Sequence, residues 1–305
     1  MGKLRNSFLL FIAALIWGMA FVAQQEGMEH MGPFTFITSR SLLGFLVLIP
    51  VILFRRLRTP KEERKPIPVK ATALGGICCG VALSLTMIFQ QFGLTMTTVG
   101  KGGFITTLYI IFTPILGLFI KKKPPKVLWI SALLAIVGMY LLCMTDSSFA
   151  VGTGDLLVLV CAVACAAQIL FVDYFVEETD GVLLSCVQFF FVFAVTLVPA
   201  IVIEQPTFSQ ITDGAVSILY TGILSSGVAF TLQIVAQKGL DPTVAALIMS
   251  LESVVAAIAG YIAYKVGFLP TDQSMTPRQL IGCAVVFAAI IIVQIPWENL
   301  RKKAT

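Results

Sequence analysis

Charge is what this sequence lacks. Only 12% of its 305 residues are Asp, Glu, Lys or Arg, while 58% are hydrophobic and the mean hydropathy is +0.95. Soluble domains carry about 25% charged residues. A soluble enzyme and a nucleic-acid-binding protein are thereby excluded, and the class is an integral membrane protein with little mass outside the bilayer. The formal net charge of +5 carries no message about nucleic acid, because the basic residues sit in short loops between apolar runs.

Histidine is nearly absent, His30 being the only one. Imidazole metal sites and Ser–His catalysis lose their basis, and no His-Glu-x-x-His, phosphate loop or ATPase motif occurs. The seven cysteines (78, 79, 143, 161, 165, 186 and 283) all lie in apolar runs. They read as small buried side chains, not as a disulfide frame or metal site, and no cofactor is implied. Gly152-Thr-Gly-Asp155 matches the Gly-x-Gly-Asp string of intramembrane aspartyl proteases. That chemistry needs a second in-membrane aspartate. Asp173 falls about 27 Å further along the same helix, so Asp155 reads as a helix-start residue.

What is present is a series of apolar runs of crossing length. Ten are expected: Ser7–Ala23, Pro33–Phe54, Ala71–Phe92, Thr98–Ile120, Val127–Met144, Asp155–Tyr174, Gly181–Ile203, Gly214–Ala236, Thr243–Tyr264 and Pro277–Ile295. Pro33, Pro242 and Pro277 suit a first helical turn, Asp241 an N-cap, and Gly32, Gly93 and Gly239 turns. The first run, after Lys3 and Arg5, also has the form of a signal peptide with Ala23 as cleavage edge; its place in the repeat described next assigns it as a retained helix. Of the 21 Lys/Arg, 17 fall on one side of this plan, chiefly in the loop Arg55–Lys70 and in Lys121–Lys126. By the positive-inside rule both termini are cytoplasmic.

The two halves echo one another. Gln91-Phe-Gly-Leu94 matches Gln237-Lys-Gly-Leu240, Gly76-Ile77 matches Gly222-Ile223, Pro50 matches Pro199, and Pro125-Lys126 matches Pro277-Arg278. A five-helix unit ends on the side opposite its start, so its copy is inverted. Inverted repeats with a site at their interface are a transporter architecture.

Polar residues inside the runs are the site candidates. Glu252 stands in an otherwise small or apolar run, and a carboxylate near a bilayer centre costs about 2.5–3.5 kcal/mol on insertion scales. Ala245, Glu252, Ala256, Ala259 and Ala263 share one narrow helix face and point inward, while Leu247, Leu251, Val254, Ile258 and Tyr261 are expected to meet lipid. Arg40 and Glu252 come out at depths about 6 Å apart, so an arginine bridges them if their spans are neighbours; the alternative is an Arg40 locked on backbone carbonyls. Thr106, Tyr109 and Thr113 form a polar stripe on span four, and Thr106 is the repeat counterpart of Glu252. Lys101 either joins that site or snorkels to the interface, and Trp17 either walls the cavity or fills helix packing. Gln90, Gln91, Gln168, Gln188 and Gln233 divide between helix–helix contacts and ligand contacts.

The chain resembles a drug/metabolite transporter of the EamA type across almost its whole length. The carrying residues are Ala14-Leu-Ile-Trp-Gly18, Arg40, Val99-Gly-Lys-Gly-Gly-Phe-Ile-Thr-Thr-Leu-Tyr109, Gly154-Asp155 and Leu251-Glu252-Ser253. The resemblance implies an all-α fold of ten transmembrane helices in two inverted five-helix repeats, residues 6–144 and 154–296. It implies a central cavity and export of a small organic metabolite or drug. It departs from the family pattern at Lys121-Lys-Lys123 and Tyr264-Lys-Val-Gly267, where acidic corners are usual, at Ser253, where proline is common, and in the longer loop Val266–Thr276. The expected partners are that solute and the lipid bilayer, with a homodimer left open. Other classes are a membrane-embedded enzyme acting on a lipid-linked substrate through Glu252, or a non-transporting helical subunit.

Overall fold

The computed structural model of the chain describes residues 2–64, 66–97, 99–120, 126–143, 152–269 and 276–294. These residues are mostly helical, with no strand among them. The principal helices are α1 (Gly2–Gly27), α2 (Pro33–Arg58), α3 (Val69–Leu94), α4 (Val99–Phe119), α5 (Lys126–Cys143), α6 (Thr153–Phe175), α7 (Gly181–Glu204), α8 (Ala215–Gln237), α9 (Pro242–Lys265) and α10 (Pro277–Gln294). Eight are long and apolar enough to cross a membrane. The other two, α5 and α10, have 18 residues each and pack against one another. Several helices run about a turn beyond the apolar limits read from sequence, because hydropathy marks the bilayer core whereas backbone hydrogen bonding continues through flanking Arg5 and Arg55–Arg58.

The ends obey local chemistry. Pro33 and Pro242 open α2 and α9, and Asp241 caps α9 by accepting from the Thr243 and Val244 amides at 2.8 and 3.4 Å. Asp155 accepts from the Gly152 amide at 2.9 Å at the start of α6, the helix-start role expected of it. Gly239 turns the chain at φ 73°, whereas Gly93 lies inside α3 rather than in a turn.

Packing groups the helices. α6 lies on α3 and α4, α1 lies on α8 and α9, and α2 lies on α7. The antiparallel α2–α7 pair is tied reciprocally at both ends. Glu204, the last residue of α7, accepts from the Phe34 and Thr35 amides (2.9 and 2.7 Å) and the Thr35 hydroxyl (2.6 Å) at the start of α2. Asp180 caps α7 through the Val182 and Leu183 amides and pairs with Arg55 in the last turn of α2 at 3.0 Å. Each carboxylate sits on a helix N-terminus, where free amides and the helix dipole favour it.

Four helices are irregular, α7 among them, which ends in the π-helical stretch Ala200–Glu204. α4 breaks at Leu108 and α9 at Ser250, after nine and eight residues respectively. At both breaks hydroxyls take carbonyls three residues back: Thr107 bonds Phe104 O (2.9 Å), and Ser250 bonds Leu247 O (2.7 Å). The backbone tightens the same way, with Leu108 N on Ile105 O and Ser253 N on Ser250 O. In α8, Tyr220–Ala229 is a π-helix.

The expectation for α9 needs correcting. Leu247, Leu251 and Val254 are buried rather than lipid-facing, and only the end around Ile258 and Ile262 is exposed. The helix is enclosed on its bulky face as well, since α9 also packs on α4, α5 and α10.

Candidate functional site

A cavity lies where α1, α2, α3, α4, α6, α8 and α9 converge. Glu252, Arg40, Thr106, Tyr109 and Trp17, five of the seven residues picked from sequence, line it. Glu252 reaches it because the break at Ser250 begins a new helix there, and because Gly18 lets α1 close on α9. A Cβ on Gly18 would stand 2.6 Å from Val255 Cγ1 and 2.8 Å from Glu252 O.

Arg40, 3% exposed, is held wholly by neutral groups. Its Nη1 donates to Gln24 Oε1 at 3.1 Å, Nη2 to Ser225 Oγ at 2.9 Å, and Nε to Ser226 Oγ at 3.4 Å. Two successive serines reach one guanidinium because both lie in the π-helical stretch of α8, whose wider turn brings adjacent side chains closer in direction than an α-helix does. The backbone-locked alternative for Arg40 is therefore replaced by a side-chain cradle. Arg40 comes from α2, which packs on α7 and α8, and Glu252 from α9, which packs on α1 and α4. Among the described residues no ion pair joins them. The Tyr109 hydroxyl stands beside the Glu252 carboxyl, within reach of it but without a fully formed hydrogen bond.

Two more unpartnered polar atoms belong to cavity-lining residues: the Trp17 indole N–H and Gln233 Oε1. Buried polar groups are normally paired, so an unpaired set around one cavity marks where a ligand or water supplies the partner. Trp17 also packs at a tilt against Phe230, ring centroids 4.7 Å apart, which in turn meets Phe189 at 5.4 Å. Gln90 donates to Thr106 Oγ1 at 3.3 Å. Gln233 donates to Gln168 at 3.0 Å, and Gln168 to Gln188 at 3.4 Å. The cavity leaves ≈ 50 Å³ for the centres of water-sized molecules. One water needs about 10–15 Å³ on that measure, so it holds a few waters and must widen for an organic solute.

Two sequence candidates lie elsewhere. Thr113 is fully buried, and its hydroxyl donates to Tyr109 O at 2.7 Å, one turn back on its own helix. Lys101 neither faces the cavity nor snorkels: its ammonium pairs with Asp155 Oδ2 at 2.6 Å, fastening α4 to α6. Sequence reasoning missed Gln24, Ser225, Cys165 and Phe230. The adjacent Ser225-Ser226 pair, deep in an apolar run, was the one signal available. Of the cysteines, Cys78, Cys79, Cys161, Cys165 and Cys186 are free thiols, and the side chains of Cys143 and Cys283 lie outside the described residues. Lys121–Lys123 lies outside them as well.

Membrane-length helices around a central cavity lined by buried polar groups define a multi-pass membrane protein. The chain belongs to the EamA-like transporter family, whose pattern matches residues 5–144 and again 152–295, and so falls within the drug/metabolite transporter superfamily. It is 30% identical over 287 residues to an uncharacterized transporter of Archaeoglobus fulgidus, covering 94% of this chain and 84% of that one. It is 22% identical to the uncharacterized transporter YwfM of Bacillus subtilis, over 96% and 94% of the two chains. A solved crystal structure 18% identical in sequence superposes with a TM-score of 0.74, covering 98% of this chain and 99% of that chain, a likeness of fold.

Proposed function

We propose that the protein is a secondary transporter that moves a small organic solute out of the cell across the cytoplasmic membrane by alternating access. The observation that carries this reading is the cavity itself. It lies within the membrane-spanning bundle, is lined from both halves of the chain, and contains a carboxyl and a guanidinium that do not pair with one another. A structural ion pair would have been satisfied in place. An acid and a base left apart in a low-dielectric cavity are available to a solute or a proton.

Ten crossings in two inverted five-helix repeats complete the reading, with the basic loops and both termini cytoplasmic. The packing partners support it. Exchanging the first five helices for the last five turns α3–α6 into α8–α1, and α4–α6 into α9–α1; all four contacts occur. The matched breaks in α4 and α9 follow the same exchange. Glu252, faced by Tyr109 and with Arg40 across the cavity, is the group that would exchange a proton for solute.

Purified protein reconstituted alone into sealed vesicles tests the proposal through flux of a solute panel. Uptake dependent on the protein supports it, and drive by an imposed pH gradient supports the proton-coupled form. Uptake indifferent to the gradient leaves facilitated export, and no flux of any solute sinks the transport reading.

A further inference from the structure

The strings Gln91-Phe-Gly-Leu94 and Gln237-Lys-Gly-Leu240 place two amides toward opposite faces of the helix bundle, outside the cavity lining but one position along from its Gln90 and one turn along from its Gln233. Gln91 lies near the end of α3 on the face opposite the basic loop Arg55–Lys70; Gln237 is the last residue of α8, on the basic face. Both are 1% exposed. Their side chains do the same thing. Gln91 Nε2 donates to the backbone carbonyl of Gln24 in α1 at 3.3 Å, and Gln237 Nε2 donates to that of Ile169 in α6 at 3.1 Å.

These bonds cross between the two packed groups. Gln91 joins the α3–α4–α6 group to α1, and Gln237 joins the α1–α8–α9 group to α6. The carbonyls they engage already serve their own helices, so neither bond is needed to complete a backbone ladder. Resting on the alternating-access reading above, we infer that Gln91 and Gln237 are the two gate residues of the transporter, each releasing its carbonyl when the cavity opens to its own face.

Two observations sharpen the assignment. Gln24 is gripped twice, its carbonyl by Gln91 and its side chain by Arg40. A solute that draws the Arg40 guanidinium aside loosens the contact beneath the Gln91 gate, which links occupancy to opening. At the basic face Gln237 Oε1 has no partner. A buried acceptor left unpaired is costly, so the closed state carries a penalty that opening to water relieves. That end also has two further crossing bonds, Gln233 to Gln168 at 3.0 Å and the Gly239 amide to Glu177 at 3.1 Å, whereas among the described residues Gln91 makes the one hydrogen bond that crosses at its end.

The native thiol Cys165 lines the cavity and reports its opening. Membrane vesicles of each orientation, treated with an impermeant maleimide, give its labelling rate from each face; Cys165→Ser identifies the signal. Gln91→Met and Gln237→Met keep side-chain volume and remove the donor. Loss of one such bond shifts an equilibrium about five-fold. Gln91→Met is expected to speed labelling by about that factor from the face opposite the basic loop only. Gln237→Met is expected to speed it from the basic face only, and by less, because Gln233 still crosses. Unchanged rates, or equal increases from both faces, overturn the gate assignment. Should a methionine variant fail to insert, Gln→Asn at the same position withdraws the amide from reach and gives the same test. Absence of solute flux in the parent protein strikes the transporter reading instead and leaves the labelling result standing.

Discussion

Arg40 and Glu252 look into one cavity from α2 and α9 without forming an ion pair, each held by different surroundings: Arg40 by Gln24, Ser225 and Ser226, Glu252 by the closure of α1 over Gly18. In a low-dielectric interior two such charges are stable only if something compensates them part of the time. A solute, water or a proton is the available compensator. Function then depends on both groups, and Arg40 in addition ties α2 to α1 and α8 through its three hydrogen bonds.

Glu252→Gln removes a desolvated charge and keeps the shape, so insertion and yield should match the parent. Transport should fall about 10- to 100-fold, the weight of a lost charge-assisted contact. If Glu252 carries a proton, the variant loses gradient-driven uptake and keeps counterflow exchange. Normal gradient-driven transport at normal expression would make Glu252 a packing residue.

Removing Glu204 tests the reciprocal tie between α2 and α7. Glu204→Ala leaves the Phe34 and Thr35 amides without their acceptor, a loss of about 0.5–2 kcal/mol at a helix N-terminus. The thermal midpoint in detergent should drop, and Glu204→Gln, which keeps one acceptor oxygen, should recover part of the loss. Equal midpoints for all three proteins would remove the capping argument.

Gly18 is a packing requirement for the site. A valine there meets Val255 and the carbonyl of Glu252, and overpacking of this kind costs about 1–3 kcal/mol. Gly18→Val should lower the thermal midpoint, and if the helices part to admit it, transport should fall with it. A stable, fully active Gly18→Val protein contradicts the close approach of α1 and α9.

Orientation has a direct test. Engineered cysteines at Arg58 and near the carboxyl end should resist impermeant thiol reagents in intact cells and react after lysis. Labelling of only one of them without lysis breaks the even number of crossings, and labelling of both inverts the orientation.

Much of this was legible in the sequence. Apolar runs of bilayer length set the helices, since a backbone in hydrocarbon must satisfy its own hydrogen bonds. The cost of charge in lipid pointed Arg40 and Glu252 inward. The Gln-x-Gly-Leu strings marked equivalent places in the two halves, and the structure gives both amides the same bond.

Other features needed the third dimension. The Thr106–Tyr109–Thr113 stripe assumes one continuous helix; α4 breaks at Leu108, and the Thr113 hydroxyl turns to its own backbone. Lys101 has a pairing partner 54 positions away, Asp155, which no local periodicity reveals. The serine cradle of Arg40 depends on a π-helical turn in α8 that composition does not announce. Sequence by itself determined which groups must be buried, because the bilayer prices each residue one at a time. Which buried group meets which was decided only by tertiary packing, because hydrogen bonds and ion pairs reach about 3 Å and join residues that the chain holds far apart.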